Sequence, residues 1–487
     1  MLGKPKLFYG AVVNPISLDE YDALPNCLIS VGRSGNIEWM MDDVATGQLA
    51  SITADKGISD RDIIVLPDGD FLMPGFIDTH THAVQFPTLG MGGQQQLLDW
   101  LQDTVFPGES KFGNTDYACS VFPSVIRRTL DCGVRIQFSP VVSAIHLAVA
   151  QTTTACYYSS LHLDATKVLA KTALEHGQRA FVGKCNMDDP GPGVCSVHYV
   201  EPDWETSLAD TKEVIAYIRA LPGNIPPLVH PILTPRFALS CTEKLLHELG
   251  NYAETDPSLH IQTHYAENTK EIKDVKERFN VKYYIDVYAK AKLLRHNTIL
   301  GHGVHVEDKE LECIRQKGAG IAHCPSSNQF LRSGLAPIGR QKLIDKSHAE
   351  ASKVSKDLAV LTSKDPKTKS GKYANHLLPL ATLLYLATLG GADLCDMKDT
   401  LGSFACGKSF DALLVSTRTP ESGPSLWVPD DLGVGKHALR ELFERFLFCG
   451  DDRNISKVWV QGNFVGGRLW KNSSSLEDQT TTPAMGQ

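Results

Sequence analysis

No run of this chain approaches the roughly 20 uninterrupted apolar residues that a bilayer-spanning helix requires. Its most apolar segment, PVVSAIHLAVAQ from Pro140, is too short and carries His146. The opening MLGKPKLFYG has no hydrophobic signal core. The 12 cysteines include no C-x-x-C pair and no regular spacing. Cys156, Cys185 and Cys324 lie inside apolar, strand-like runs, the setting of reduced and buried thiols, so a cytoplasmic protein is expected. No basic stripe offsets the net charge of -8, which argues against nucleic acid or a membrane surface as partner and leaves a small molecule.

What is present is an ordinary globular composition, 42% hydrophobic and 21% charged, over 487 residues. That length accommodates one large enzyme domain and an accessory domain. The first 73 residues read as short strands and turns, with CLISVGRSGNIEWM as a hairpin. From residue 74 to 395 short apolar strands alternate with helical stretches: TTTACYY, AFVGK, PLVHPILT, HIQTHYAE, TILGHGV and GAGIAHCP are the strand candidates. ATKVLAKTALEHG and ENTKEIKDVKERF are helical candidates between them. Strand followed by helix, repeated at this length, predicts an α/β fold, a (β/α)8 TIM-like barrel. Short strands return over 396–472 and should complete a small β domain with the N-terminal segment, before a polar tail over 473–487 that is expected to be disordered.

The chemistry concentrates at predicted strand ends, where such barrels place their functional groups. PGFIDTHTHAVQFP sets His80 and His82 on one face of an extended chain, because alternate side chains share a face. HIQTHYAE ends in His264 and Glu267, and TILGHGV carries His302. A single strand histidine is more often a packed, hydrogen-bonded residue than a ligand, but four at corresponding strand ends suit a zinc-type divalent ion. Their ring nitrogens are then expected within about 3–4 Å of one another, given Zn–N distances near 2.0–2.1 Å. Glu267 would start in the loop over the barrel mouth as a proton carrier; the competing reading is a helix cap near Asn268. His323 is balanced between a site-lining residue and a packed strand end, and His230 reads as structural. No lysine ends the same strand as His230, so one metal is expected rather than two.

These residues carry a resemblance. PGFIDTHTHA, HIQTHYAE, GHG and AHCPSSN, in this order, resemble the metal-dependent amidohydrolase superfamily. The longer runs LLDWLQDTVFP, TTTACYYSSLH, GQRAFVGKCNMD, ILTPRFALSC and FLFCGDDRNI narrow the likeness to its guanine deaminase family. The resemblance implies an amidohydrolase barrel, hydrolysis of guanine to xanthine and ammonia, one Zn2+ per chain and a homodimer. It implies metal ligation by His80, His82, His264 and His302, with Glu267 and His302 catalytic. Gln85, Arg236, Phe237 and His264 would hold the purine, an amide and a guanidinium being able to read the O6/N7 edge. A sibling deaminase or chlorohydrolase is the enzymatic alternative, and a catalytically impaired binding or scaffolding protein the other.

Two departures stand against the family pattern. Residues 134–151 follow Gly133 where a strand is due, and no Gly-Thr-Asp occurs after AHCPSSNQFLRSGLAPIGR, where the family's metal-binding aspartate is due. Asp365 and Asp345 are weak substitutes. Without that aspartate and its strand, the barrel is expected to be incomplete at its last strand and the chain to be nearly or wholly inactive, and less stable than a form carrying such a strand.

Overall fold

The computed structural model describes residues 6–58, 63–130, 152–189, 199–336, 378–418, 426, 428, 429, 432 and 435–470. Two sheets organise them. The first is mixed and takes strands from both ends of the chain: β1 (Lys6–Pro15), β2 (Tyr21–Val31), β3 (Ile37–Met41), β4 (Ile63–Val65) and β5 (Phe71–Pro74). Alternation along β1 sends Phe8 and Val12 into one apolar cluster and Leu7 and Tyr9 into another, on the opposite face. The strand bulges at Gly10, where φ is +151° and a Cβ would lie 2.7 Å from the Leu66 side chain.

The second sheet is parallel and curls into the barrel: β6 (Phe76–His82), β7 (Thr152–Tyr158), β8 (Arg179–Gly183), β9 (Cys185–Asn186), β10 (Val229–Pro235), β11 (His260–Tyr265), β12 (Thr298–His302) and β13 (Gly320–Ala322). Each strand pairs with its neighbour in that order, β9 continuing β8 alongside β10. Helices Leu163–Glu175, Trp204–Arg219, Glu243–Thr255 and Thr269–Arg278 separate consecutive strands, so the expected strand–helix alternation holds. Ile77, Cys156, Phe181, Ile232, Ile299 and Ala322, from six of these strands, form an apolar layer with Leu394 and Leu401. His230 belongs to this region, stacked on Phe181 at 5.0 Å between ring centroids.

Among the described residues β6 and β13 remain unpaired with each other, which leaves a seam in the barrel. Residues 134–151, Asp345 and Asp365 lie outside the described residues. The chain returns to the mixed sheet through β14 (Ala412–Val415), β15 (Ile455–Val460) and β16 (Asn463–Gly466). β14 pairs antiparallel with β5, immediately before the strand that carries His80. Arg179 of β8 donates from Nε to Asp411 Oδ2 at 3.2 Å, a buried ion pair linking the barrel to the start of β14. No described helix is long and apolar enough to cross a membrane.

Candidate active site

His80 and His82 end β6, and the register against β7 slips between Asp78 and Thr81. Asp78 Oδ1 accepts the backbone N–H of His80 at 3.1 Å and steadies that slip. His82 stacks on Tyr158 at 4.6 Å, and its Nε2 lies 3.0 Å from Nε2 of His264. The His80 ring centroid is 4.7 Å from that of His264 and 5.1 Å from that of His302. The GHG run acquires a reason here: a Cβ at Gly301 would stand 2.6 Å from Cε1 of His80, so only glycine admits the ring.

His264 is oriented by Arg236, whose carbonyl lies 2.7 Å from Nδ1 and accepts the His264 backbone N–H at 3.0 Å. With Nδ1 donating, the Nε2 lone pair faces the other imidazoles. His302 adopts φ +74°, unusual for a residue with a Cβ, in a buried setting that holds it there. Its Nδ1 lies 2.8 Å from Asn328 Oδ1, and its Nε2 lies 3.4 Å from Glu267 Oε2. Burial pushes all four imidazoles below their ordinary pKa, His80, His82 and His264 most strongly, so each is held neutral.

Glu267 follows β11 and is buried. The cap of helix Thr269–Arg278 is Asn268, whose side chain accepts from Lys270 N at 2.9 Å. Glu271 of the same capping box accepts the backbone N–H of Glu267 at 3.0 Å, so the helix start pins Glu267 while its side chain stays available. Burial raises the Glu267 carboxyl to about 8, and Ser333 donates to its Oε1 at 3.2 Å. These groups open on a cavity of about 220 Å³ that is also lined by Gln85, Phe86, Trp100, Arg236, Phe237 and Leu331.

Arg236 lines the cavity with its charge already paired. It is buried, 5.3 Å over the Phe106 ring, and pairs with Glu109: Nη1 to Oε2 at 2.7 Å and Nη2 to Oε1 at 3.0 Å. Burial opposes its charge, and the Glu109 carboxylate more than offsets that, raising its pKa further. Gln85 donates from Nε2 to the same carboxylate at 3.2 Å. Phe237 is buried beside His264, with ring centroids 6.5 Å apart. His323, after β13, is buried and does not line the cavity. Sequence reasoning passed over Glu109, Asn328 and Ser333. Asn328 lay inside the quoted AHCPSSN run, whereas Glu109 sat just past LLDWLQDTVFP with no pattern to mark it.

The model of the amidohydrolase family matches residues 71–465. This chain belongs to the amidohydrolase family. Its relatives place it on the guanine deaminase branch. A probable guanine deaminase of Schizosaccharomyces pombe is 36% identical, over 98% of this chain and 87% of that one. The guanine deaminase of Homo sapiens is 34% identical, over 94% of this chain and 96% of its own length. A crystal structure of guanine deaminase from C. acetobutylicum with bound guanine in the active site superposes with a TM-score of 0.75 at 28% identity. It covers 95% of this chain and 100% of that one.

Metal dependence is typical of amidohydrolases, and the residues of this one fit a divalent ion. Among the described residues, Nδ1 of both His80 and His82 is buried without a hydrogen-bond partner, and neutral imidazole is the ligating form. The candidate ligand atoms fall into two overlapping sets, His80, His82 and His264, and His80, His302 and Cys324, each within 4.8 Å. The four histidines thus converge, but not as a single tight quartet: His302 stands to one side because Asn328 and Glu267 engage its two nitrogens.

Proposed function

We propose that this chain hydrolyses guanine to xanthine and ammonia, using one zinc ion held by His80, His82 and His264, with His302 beside them turned to Glu267 rather than to the ion. The observation that carries the reading is the convergence of neutral imidazoles beside a buried carboxyl that holds its proton to about pH 8, facing a cavity lined by Arg236 and Gln85. When bound, the ion supplies Lewis acidity that makes a water nucleophilic at neutral pH. Gln85, Arg236 and Phe237 orient the purine with C2 toward Glu267. Glu267, protonated at neutral pH, gives its proton to the ring nitrogen beside C2 as the water attacks and takes a water proton in return; it then passes that proton to the 2-amino group, which leaves as ammonia while the remaining hydroxyl proton returns to Glu267. His302, 3.4 Å from the Glu267 carboxyl, keeps that carboxyl aimed into the cavity.

Residues 74–395 form the catalytic unit of this proposal. Ten described cysteines carry no disulfide, which supports a cytoplasmic setting. The decisive experiment couples metal analysis of the purified protein to the absorbance change from guanine to xanthine. A metal-free protein that also leaves guanine unchanged after zinc is supplied refutes the reading. Light scattering tests the homodimer that the resemblance implies. Because no Gly-Thr-Asp occurs in the sequence, handling of the water falls to Glu267, and the chain as it stands should be nearly or wholly inactive.

A further inference from the structure

Glu109 lies in the short helix Phe106–Ser110 and is 1% exposed. Four donors converge on its carboxylate. Oε2 accepts from Arg236 Nη1 at 2.7 Å and from the Tyr199 hydroxyl at 3.0 Å. Oε1 accepts from Arg236 Nη2 at 3.0 Å and from Gln85 Nε2 at 3.2 Å. Both oxygens are thereby occupied, and the two groups that would read the purine share this one partner. An ionised carboxylate only accepts, so it fixes which end of the Gln85 amide faces it: Nε2 is turned in, and Oε1 is the end left for a ligand. The same pairing holds the guanidinium rigid, with N–H groups beyond the two given to Glu109.

Resting on the guanine reading above, we propose that Glu109 is a positioning residue that sets base specificity. It holds Gln85 as an acceptor and Arg236 as a donor, and so selects a 6-oxo purine over a 6-amino purine. A 6-oxo purine presents a carbonyl acceptor beside an N1–H donor, the complement of that pair. A 6-amino purine presents an amino donor beside an unprotonated N1, which sets donor against donor and acceptor against acceptor. Tyr199 and the bidentate Arg236 contact lock the carboxylate, so the preference is built in before any ligand arrives.

The test is binding rather than turnover. Titration calorimetry on the zinc-loaded full chain measures dissociation constants for guanine and for 2,6-diaminopurine, which keeps the 2-amino group and exchanges only the 6-oxo group. The wild type should prefer guanine. Glu109→Gln places an amide donor among four donors and frees Gln85 to turn, so the preference should shrink about tenfold or more. Glu109→Asp keeps an acceptor-only carboxylate and should retain the preference even where both ligands bind more weakly. If Glu109→Gln does not fold, Gln85→Leu removes the same acceptor and should lower the preference similarly. A folded Glu109→Gln, or a Gln85→Leu, with the wild-type preference overturns this inference and leaves the guanine reading standing. A wild type that binds neither purine overturns that reading and this inference together.

Discussion

Replacing Glu267 by glutamine separates what this residue does for chemistry from what it costs the fold. The carboxyl is fully buried and its pKa is raised from the ordinary 4.5 to about 8, with desolvation as the main cause. A carboxyl whose folded pKa lies above its unfolded one stabilises the fold below pH 4.5 relative to higher pH. That contribution is lost as pH climbs through the interval to about 8. At about 1.4 kcal/mol per unit, the loss across the interval is on the order of 5 kcal/mol in the metal-free protein. Glutamine is near-isosteric, its oxygen can still accept from Ser333, and it does not ionise. The chelated Glu267→Gln protein should therefore resist denaturant better than chelated wild type at pH 9, and the two should converge near pH 4. Denaturant titrations of both proteins from pH 4 to 9 measure this directly. In the zinc-loaded form the same substitution should lower kcat about 10²–10⁴-fold, the usual effect of removing a positioned proton carrier. Parallel stability profiles would refute the burial argument, and an unchanged kcat would remove Glu267 from the proposed chemistry.

Three further outcomes follow from other parts of the molecule. Arg236→Met removes a charged donor from the cavity and strands the buried Glu109 carboxylate, so KM for guanine should rise about tenfold or more, read by steady-state kinetics; an unchanged KM excludes Arg236 from substrate binding. Arg179→Met leaves buried Asp411 without its cation at the junction of the two sheets, holding the hydrogen bonds from Ser409 and Gln461, and should cost about 3–5 kcal/mol in chemical denaturation without altering guanine affinity in the folded protein. A chain carrying a Gly-Thr-Asp strand after Gly339 and lacking residues 134–151 should turn guanine over about 10²–10⁴-fold faster than the chain as it stands, and equal rates would show that another carboxylate already serves.

The sequence by itself determined the alternation of strands and helices, the strand ends that carry His80, His82, His264 and His302, and the place of Glu267 beside them. Each is written in local pattern: apolar runs of strand length, histidines two apart, a carboxylate just past a strand. The sequence left Glu267 between a proton carrier and a helix cap near Asn268, and it is the cap formed by Asn268 and Glu271, with Glu271 accepting the Glu267 backbone N–H, that leaves the Glu267 side chain free to face the cavity. Only the tertiary structure decided what those groups touch. Glu109 meets Arg236 across 127 residues of chain, and in sequence it is one acid in a short helix, indistinguishable from a solvated one. The glycine of GHG matters through the His80 ring brought against it from another strand. His302 turns toward Glu267 because Asn328, from a third segment, occupies its other nitrogen. Hydrogen bonds between side chains far apart in the chain leave no periodicity behind, since they depend on where the barrel's curvature brings the strand ends, and that is settled only when the sheet packs.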